Sequence, residues 1–388
     1  MGETSARQPP ILGVPLADLR RDRTSVKWGV HGPDVIPMWI AEMDCAPCPA
    51  VVGAVGAAVA RGDTGYALTE EYAAEFAAFA HAEWAWQLDP RTTTRVADVL
   101  SGVTHLLGLF TDPGGPVVVS PPVYNAFYEV IEACGRRVVE APLGPDHRLD
   151  LTGLAEVFAR ETAGGSRTAY LLSNPHNPTG TVHTRAELES LARAADEHGV
   201  RVVSDEIHGP LVLPTSTFTP YLTVAGSERG VTVTSASKAW NLAGLKAAII
   251  VPGEGAVDAV RRLHPYVTFG ASHLGVIAQT AAYRDGREWL HRLVGELDAN
   301  RHLLAELVAE QLPDARLVVP EATYLAWLDL GGLGLGDDPA GEVLRRARVA
   351  LSPGPIFGSG CQGHARLNYA TSPEILRDAV DRIASILA

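Results

Sequence analysis

The chain has 388 residues, 46% of them hydrophobic and 20% charged, with a formal charge of −13. That length exceeds one ordinary core and calls for two domains, or a large α/β domain with a smaller companion. The acidic balance provides no basic stripe to neutralise phosphates, which excludes a nucleic-acid partner, and no run of about 18 apolar residues is present to span a membrane.

Residues 1–15 carry Glu3, Arg7 and prolines, without the basic-then-apolar pattern of a leader, so a cytoplasmic location is expected. The first fifty residues are Pro-rich and read as an extended arm packed on something larger. Within it, Cys45-Ala-Pro-Cys48 has the C-x-x-C form. No second such pair completes a zinc site, so no metal is assigned, and the two cysteines read as small apolar side chains in a loop. Lys27 reads as structural, paired with an acidic group near the arm or placed at the rim of an entrance. Helical spacing follows over 49–61, where Val51, Val55 and Val59 share a face, and over 70–84.

From about 95 to 255, short β-branched runs alternate with helical stretches. Strands are expected at 116–120, 137–141, 168–173, 200–204, 230–235 and 247–251, with helices between several of them, such as 185–198. This order predicts a mostly parallel sheet covered on both faces. A long helix is expected over 288–311. Beyond Pro313 the order becomes strand (315–319), strand (324–328), helix (339–347), strand (365–369) and helix (373–387), a smaller α+β domain joined to the arm. The expected division is a large domain over 50–283 and a small one formed by 1–49 with 284–388.

Of the 32 lysines and arginines, only Lys27, Lys238 and Lys246 are lysine. In such a background a retained lysine marks a place where a guanidinium cannot serve, since only the amine loses its proton and attacks a carbonyl. Lys238 and Lys246 share the run Ser235-Ala-Ser-Lys-Ala-Trp-Asn-Leu-Ala-Gly-Leu-Lys246. Other polar groups also sit where strands end: Asn174-Pro-His-Asn177-Pro-Thr-Gly180, Asp205-Glu-Ile-His208, and Gly102-Val-Thr104, which is expected to open a helix. In open α/β sheets these ends form the ligand crevice.

An amine, a carboxylate, an amide, small hydroxyls and a helix N-terminus together suit pyridoxal phosphate. Lys238 would form the imine, and Asp205 would keep the pyridine nitrogen protonated. Asn177 would donate to the phenolate oxygen, and Tyr124 would stack on the ring. Ser235, Ser237, Lys246 and the backbone amides of Gly102, Val103 and Thr104 would take the phosphate.

With these motifs in this order, the chain resembles the fold-type I, aspartate-aminotransferase-like superfamily nearly end to end. More narrowly it resembles the cystathionine β-lyase-like C–S lyases of the MalY/PatB branch, through Lys27-Trp28, Pro37-Met-Trp-Ile-Ala-Glu-Met-Asp44, Gly65-Tyr66, the Asn177, Asp205 and Lys238 motifs, Ala322-Thr-Tyr-Leu-Ala-Trp-Leu-Asp329 and Arg366-Leu-Asn368. Lys238, Asp205 and Tyr124 are expected to be catalytic, and the resemblance implies that His208 lies near the phenolate oxygen beside Asn177. It implies that Arg366 grips the substrate carboxylate, and that Tyr66 reaches the phosphate of a neighbouring subunit in a homodimer. It implies β-elimination from an S-substituted cysteine such as cystathionine. An aminotransferase, a specialised step on a larger cysteine conjugate, and a cofactor-holding regulatory protein remain as alternatives. Cys45 and Leu330 depart from the branch pattern and are expected near the substrate side chain.

Overall fold

The computed structural model describes residues 9–68 and 70–387. Glu3 and Arg7 lie outside the described residues. Among those residues, no helix is long and apolar enough to cross a membrane.

A seven-stranded sheet organises the centre, in the spatial order Thr94–Val96, Ala248–Pro252, Val231–Thr234, Arg201–Asp205, Ala169–Ser173, Pro116–Val119, Arg137–Glu140. The last five run parallel, while Ala248–Pro252 is antiparallel to its neighbours on both sides. Strand period decides which side each residue serves. Val117 and Val119 face one core with Val103, Leu106 and Phe110 of the helix Val99–Phe110. Val118 faces the other, with Leu154 and Phe158 from Leu151–Thr162 and Leu188 and Leu191 from Arg185–Glu197. Both faces are therefore apolar, which is why these strands read as continuous hydrophobic runs. The short strand Thr94–Val96 was not among the expected ones. Three residues give no period to detect.

A second sheet of four antiparallel strands has the order Ser352–Pro353, His364–Asn368, Leu325–Asp329, Arg316–Leu317. The helix Arg287–Gln311 and the terminal helix Pro373–Ser385 pack with it. The arm is not simply extended. It forms two short helices, Leu16–Asp22 and Val26–Gly29, the first with Asp18 in its first turn and Arg20 and Arg21 in its last, signs that suit the helix dipole. Ile36–Pro37 then pairs in parallel with Val349–Ala350, tying the arm to the C-terminal part.

Candidate active site

One cavity lies at the carboxyl ends of the parallel strands, lined in part by Tyr124, Ser173, Asn177, Asp205, His208, Ser237, Lys238 and Lys246. The neighbouring strands set Ser173 level with Asp205, and Asp205 level with Val233. Asp205 is buried, and one oxygen accepts the Ile207 amide at 3.1 Å. Burial pushes its carboxyl up to about 7, against the pull of that amide and of Lys238. Lys238 Nζ donates to the Ala41 carbonyl at 2.8 Å. Burial, reinforced by the Arg366 charge, brings the Lys238 amine down to about 8, with Asp205 and Glu42 acting the other way.

Arg366 crosses from the small sheet. Its guanidinium donates to Asn177 Oδ1 at 3.0 Å, to the Trp39 carbonyl at 3.1 Å and to Ser352 Oγ at 3.3 Å, and it lies over the Phe357 ring. Burial lowers it to about 10, so it stays charged at neutral pH. Because a guanidinium only donates, Asn177 must turn its oxygen to Arg366, which leaves its NH₂ group for another acceptor. His208 is buried, has no partner for Nδ1, and meets Tyr324 edge-on at 6.0 Å between centroids. Burial first, then the Lys238 and Arg366 charges, lowers it to about 3, so the ring is neutral and keeps one N–H to donate.

The helix Val99–Phe110 starts three residues earlier than the Gly102 expectation. Asp98 caps it, accepting the Ser101 amide at 2.8 Å while its other oxygen holds Lys246 Nζ at 2.8 Å. Asp98, Val99 and Leu100 therefore meet the cavity. Gly102, Val103 and Thr104 lie inside the helix: the Gly102 amide is spent on the Asp98 carbonyl, Val103 is buried, and the Thr104 hydroxyl donates to Leu100. The signal that locates this start was Asp98 itself, an N-cap residue two positions after the short strand.

Ser237 lines the cavity, but Ser235 sits behind it. The Ser235 hydroxyl is committed to the Ala247 carbonyl at 2.7 Å and to Gln279 at 3.2 Å. Gln279, unremarkable in the sequence, also accepts the Ala236 amide and Tyr72 OH and donates to Ala247, fixing the turn that presents Lys238. Tyr66 is not at this cavity. It is 88% exposed and touches Phe269. Cys45 and Leu330, expected near the substrate, are instead packed in the hydrophobic core. Both cysteines of the C-x-x-C run are free and buried, and burial pushes the Cys45 thiol up to about 12. Lys27 takes the first of its two expected roles, forming an ion pair with Asp44 at 2.8 Å.

A family model described as aminotransferase class I and II matches residues 34–383. The chain belongs to this family. It is 48% identical to a Mycobacterium leprae protein bearing a provisional cystathionine beta-lyase name, over 94% of this chain and 95% of that one. It is 33% identical to cystathionine beta-lyase PatB of Bacillus subtilis, over 96% and 99%. The crystal structure of a PLP-bound C–S lyase from Staphylococcus hominis superposes with a TM-score of 0.86 at 26% identity, covering 95% of this chain and 97% of that one.

The donor set fits pyridoxal phosphate. A buried carboxyl with one amide partner, an amine brought near neutrality, an unpartnered buried imidazole nitrogen and a cationic rim at a helix start share one cavity. Asp205 makes the fit testable. Its folded value near 7 lies above the unfolded value of about 3.9, so the folded chain binds this proton more tightly. Without cofactor, stability is then lost as pH rises from about 4 through 7. Asp205→Asn removes this loss. At pH 8 the cofactor-free variant is expected to unfold at higher temperature than the parent, by a margin on the order of a few kcal/mol that vanishes near pH 4. Equal melting at pH 8 would show that the Asp205 carboxyl is not raised.

Proposed function

We propose that the protein is a pyridoxal-phosphate-dependent C–S β-lyase that cleaves cystathionine or another S-substituted L-cysteine to a thiol, pyruvate and ammonia. The observation that carries this reading is the convergence of Lys238, Asp205 and Asn177 on one cavity, with Arg366 bonded to Asn177 at its edge, in a chain with the kinship just described. When bound, pyridoxal phosphate supplies an aldehyde that captures an amine and a ring that accepts the electron pair left at Cα.

Lys238 Nζ takes the Cα proton as general base, a role suited to an amine that is partly unprotonated near pH 8. Asp205 would keep a proton at the ring nitrogen. The Asn177 NH₂ and the His208 N–H would serve the phenolate side, and Tyr124 would stack on the ring. Ser237, Lys246 and the amides of Val99 and Leu100 would hold the phosphate. Arg366 grips the α-carboxylate with its fork, which sets the Cα–H bond toward Lys238. The C–S bond then breaks, the thiolate leaves from Cβ, and water converts the three-carbon remainder to pyruvate and ammonia.

Residues 50–283 serve as the cofactor-binding unit, and residues 1–49 with 284–388 as the smaller unit that brings in Arg366. The protein works in the cytoplasm as a homodimer. The exposure of Tyr66, away from its own cavity, supports a role for it at the other subunit's phosphate.

The test is to give the cofactor-loaded protein L-cystathionine with no keto acid present and to measure pyruvate and free thiol together. Equimolar release is the expected result. Silence here, with ketone product from an amino-acid panel once 2-oxoglutarate is added, would replace the lyase reading with an aminotransferase.

A further inference from the structure

In residues 39–43, a strap beside the site, every one of the five carbonyls accepts a side-chain donor from elsewhere. Trp39 O takes Arg366 and Ser352; Ile40 O takes Asn368; Ala41 O takes Lys238 and Tyr324; Glu42 O takes Lys27 and Asn368; Met43 O takes Asn241. Ala41 is the member of this strap that lines the cavity. Its carbonyl accepts Lys238 Nζ at 2.8 Å and Tyr324 OH at 3.0 Å.

We infer that Tyr324 is a positioning residue for Lys238, acting through the Ala41 carbonyl. The inference rests on Lys238 being the reacting amine of the proposed lyase. A carbonyl oxygen has two lone pairs. The Tyr324 hydroxyl occupies one and aims the other at Nζ. An amine that donates one N–H to Ala41 has its lone pair turned away from the strap, so the contact selects the orientation in which Lys238 removes a proton. Tyr324 is fully buried at the head of the strand Leu325–Asp329, and its ring is held against His208, so its hydroxyl has a defined direction. Besides Tyr324, the charged and titratable groups acting on Lys238 are Arg366, Asp205, Glu42 and Lys246, with neutral His208 beside them. None of them shares the Ala41 acceptor.

The sign of the effect follows. With Tyr324→Phe the whole acceptor capacity of Ala41 O turns to Lys238, which favours the ammonium over the amine. Three lysines make the measurement direct, because a full-length protein carrying ¹³C at lysine Cε shows three such resonances, assigned by Lys246→Arg and Lys238→Ala. In cofactor-free protein, Tyr324→Phe is expected to raise the Lys238 midpoint by roughly half to one pH unit. In the loaded enzyme kcat falls by about tenfold, from loss of orientation at the proton-transfer step, with KM little changed. The acid limb of the pH profile moves alkaline with the titration.

Site-specific 3-fluorotyrosine at 324, a stronger donor of the same shape, moves the midpoint the opposite way, and keeps the test open should the phenylalanine variant fold poorly. A Lys238 titration that ignores both substitutions would overturn the inference and leave Tyr324 as packing. The cofactor-free titration reads the contact whatever the substrate proves to be, so its failure and a failure of the lyase reading are distinguishable.

Discussion

Lys238→Ala is expected to lower pyruvate release from L-cystathionine by at least the 10²–10⁴-fold attributed to a positioned general base. Neither of the other two lysines nor Arg366 can substitute. Lys246 is held by Asp98 at 2.8 Å at the helix start. Arg366 is locked to Asn177, Trp39 and Ser352, and a guanidinium that stays charged has no free pair to offer. Lys27 is spent in the ion pair with Asp44. The substitution trims a side chain at the cavity wall, so the fold should survive. A thermal melt close to that of the parent, together with the lost pyruvate signal, separates chemistry from unfolding. Residual activity above about a tenth of the parent's would remove Lys238 from the role of base.

The second large effect concerns stability. Lys27→Met is expected to destabilise the protein by about 3–5 kcal/mol, because it leaves the Asp44 carboxylate buried without its counter-charge. The side chains of Lys27 and Asp44 are 1% and 2% exposed. Nζ also donates to the Glu42 carbonyl at 3.0 Å, and Asp44 retains only the Trp28 indole N–H, at 3.1 Å, as a side-chain donor when the amine is gone. Urea unfolding of the cofactor-free chain reads the difference. The double variant Lys27→Met with Asp44→Leu should recover most of the loss, since replacing both charges by apolar groups removes the desolvation cost as well as the attraction. A single variant within 1 kcal/mol of the parent would mean that water reaches Asp44. This pair also explains why an amine persists at 27 in an arginine-rich chain: a compact donor fits a closed site between Asp44 and the Glu42 carbonyl that a planar guanidinium would overfill.

Much of the fold was legible because buried parallel strands and amphipathic helices carry local periods. All six expected strands of the large sheet are present within one or two residues, and the helix over 185–198 carries its own start signal in the Thr184–Glu187 capping box. The reacting groups were legible for a different reason. Lys238 stood out through the scarcity of lysine, and Asn177 and Asp205 through their places after apolar runs.

What tertiary structure alone decided is the support of that chemistry. Ala41 meets Lys238 across 197 positions and Tyr324 across 283, and Met43 meets Asn241 across 198. No period or motif links residues so far apart, and an alanine carbonyl has no side chain to announce it. Cys45 and Leu330 looked like substrate neighbours by sequence and proved to be core, because the direction of a side chain depends on how the arm packs. By itself, then, the sequence determined the succession of strands and helices along the chain and the types of the reacting groups, through local pattern and residue chemistry. The packing of the arm decided where the Lys238 amine points, because only the folded chain brings the strap carbonyls and Tyr324 to it.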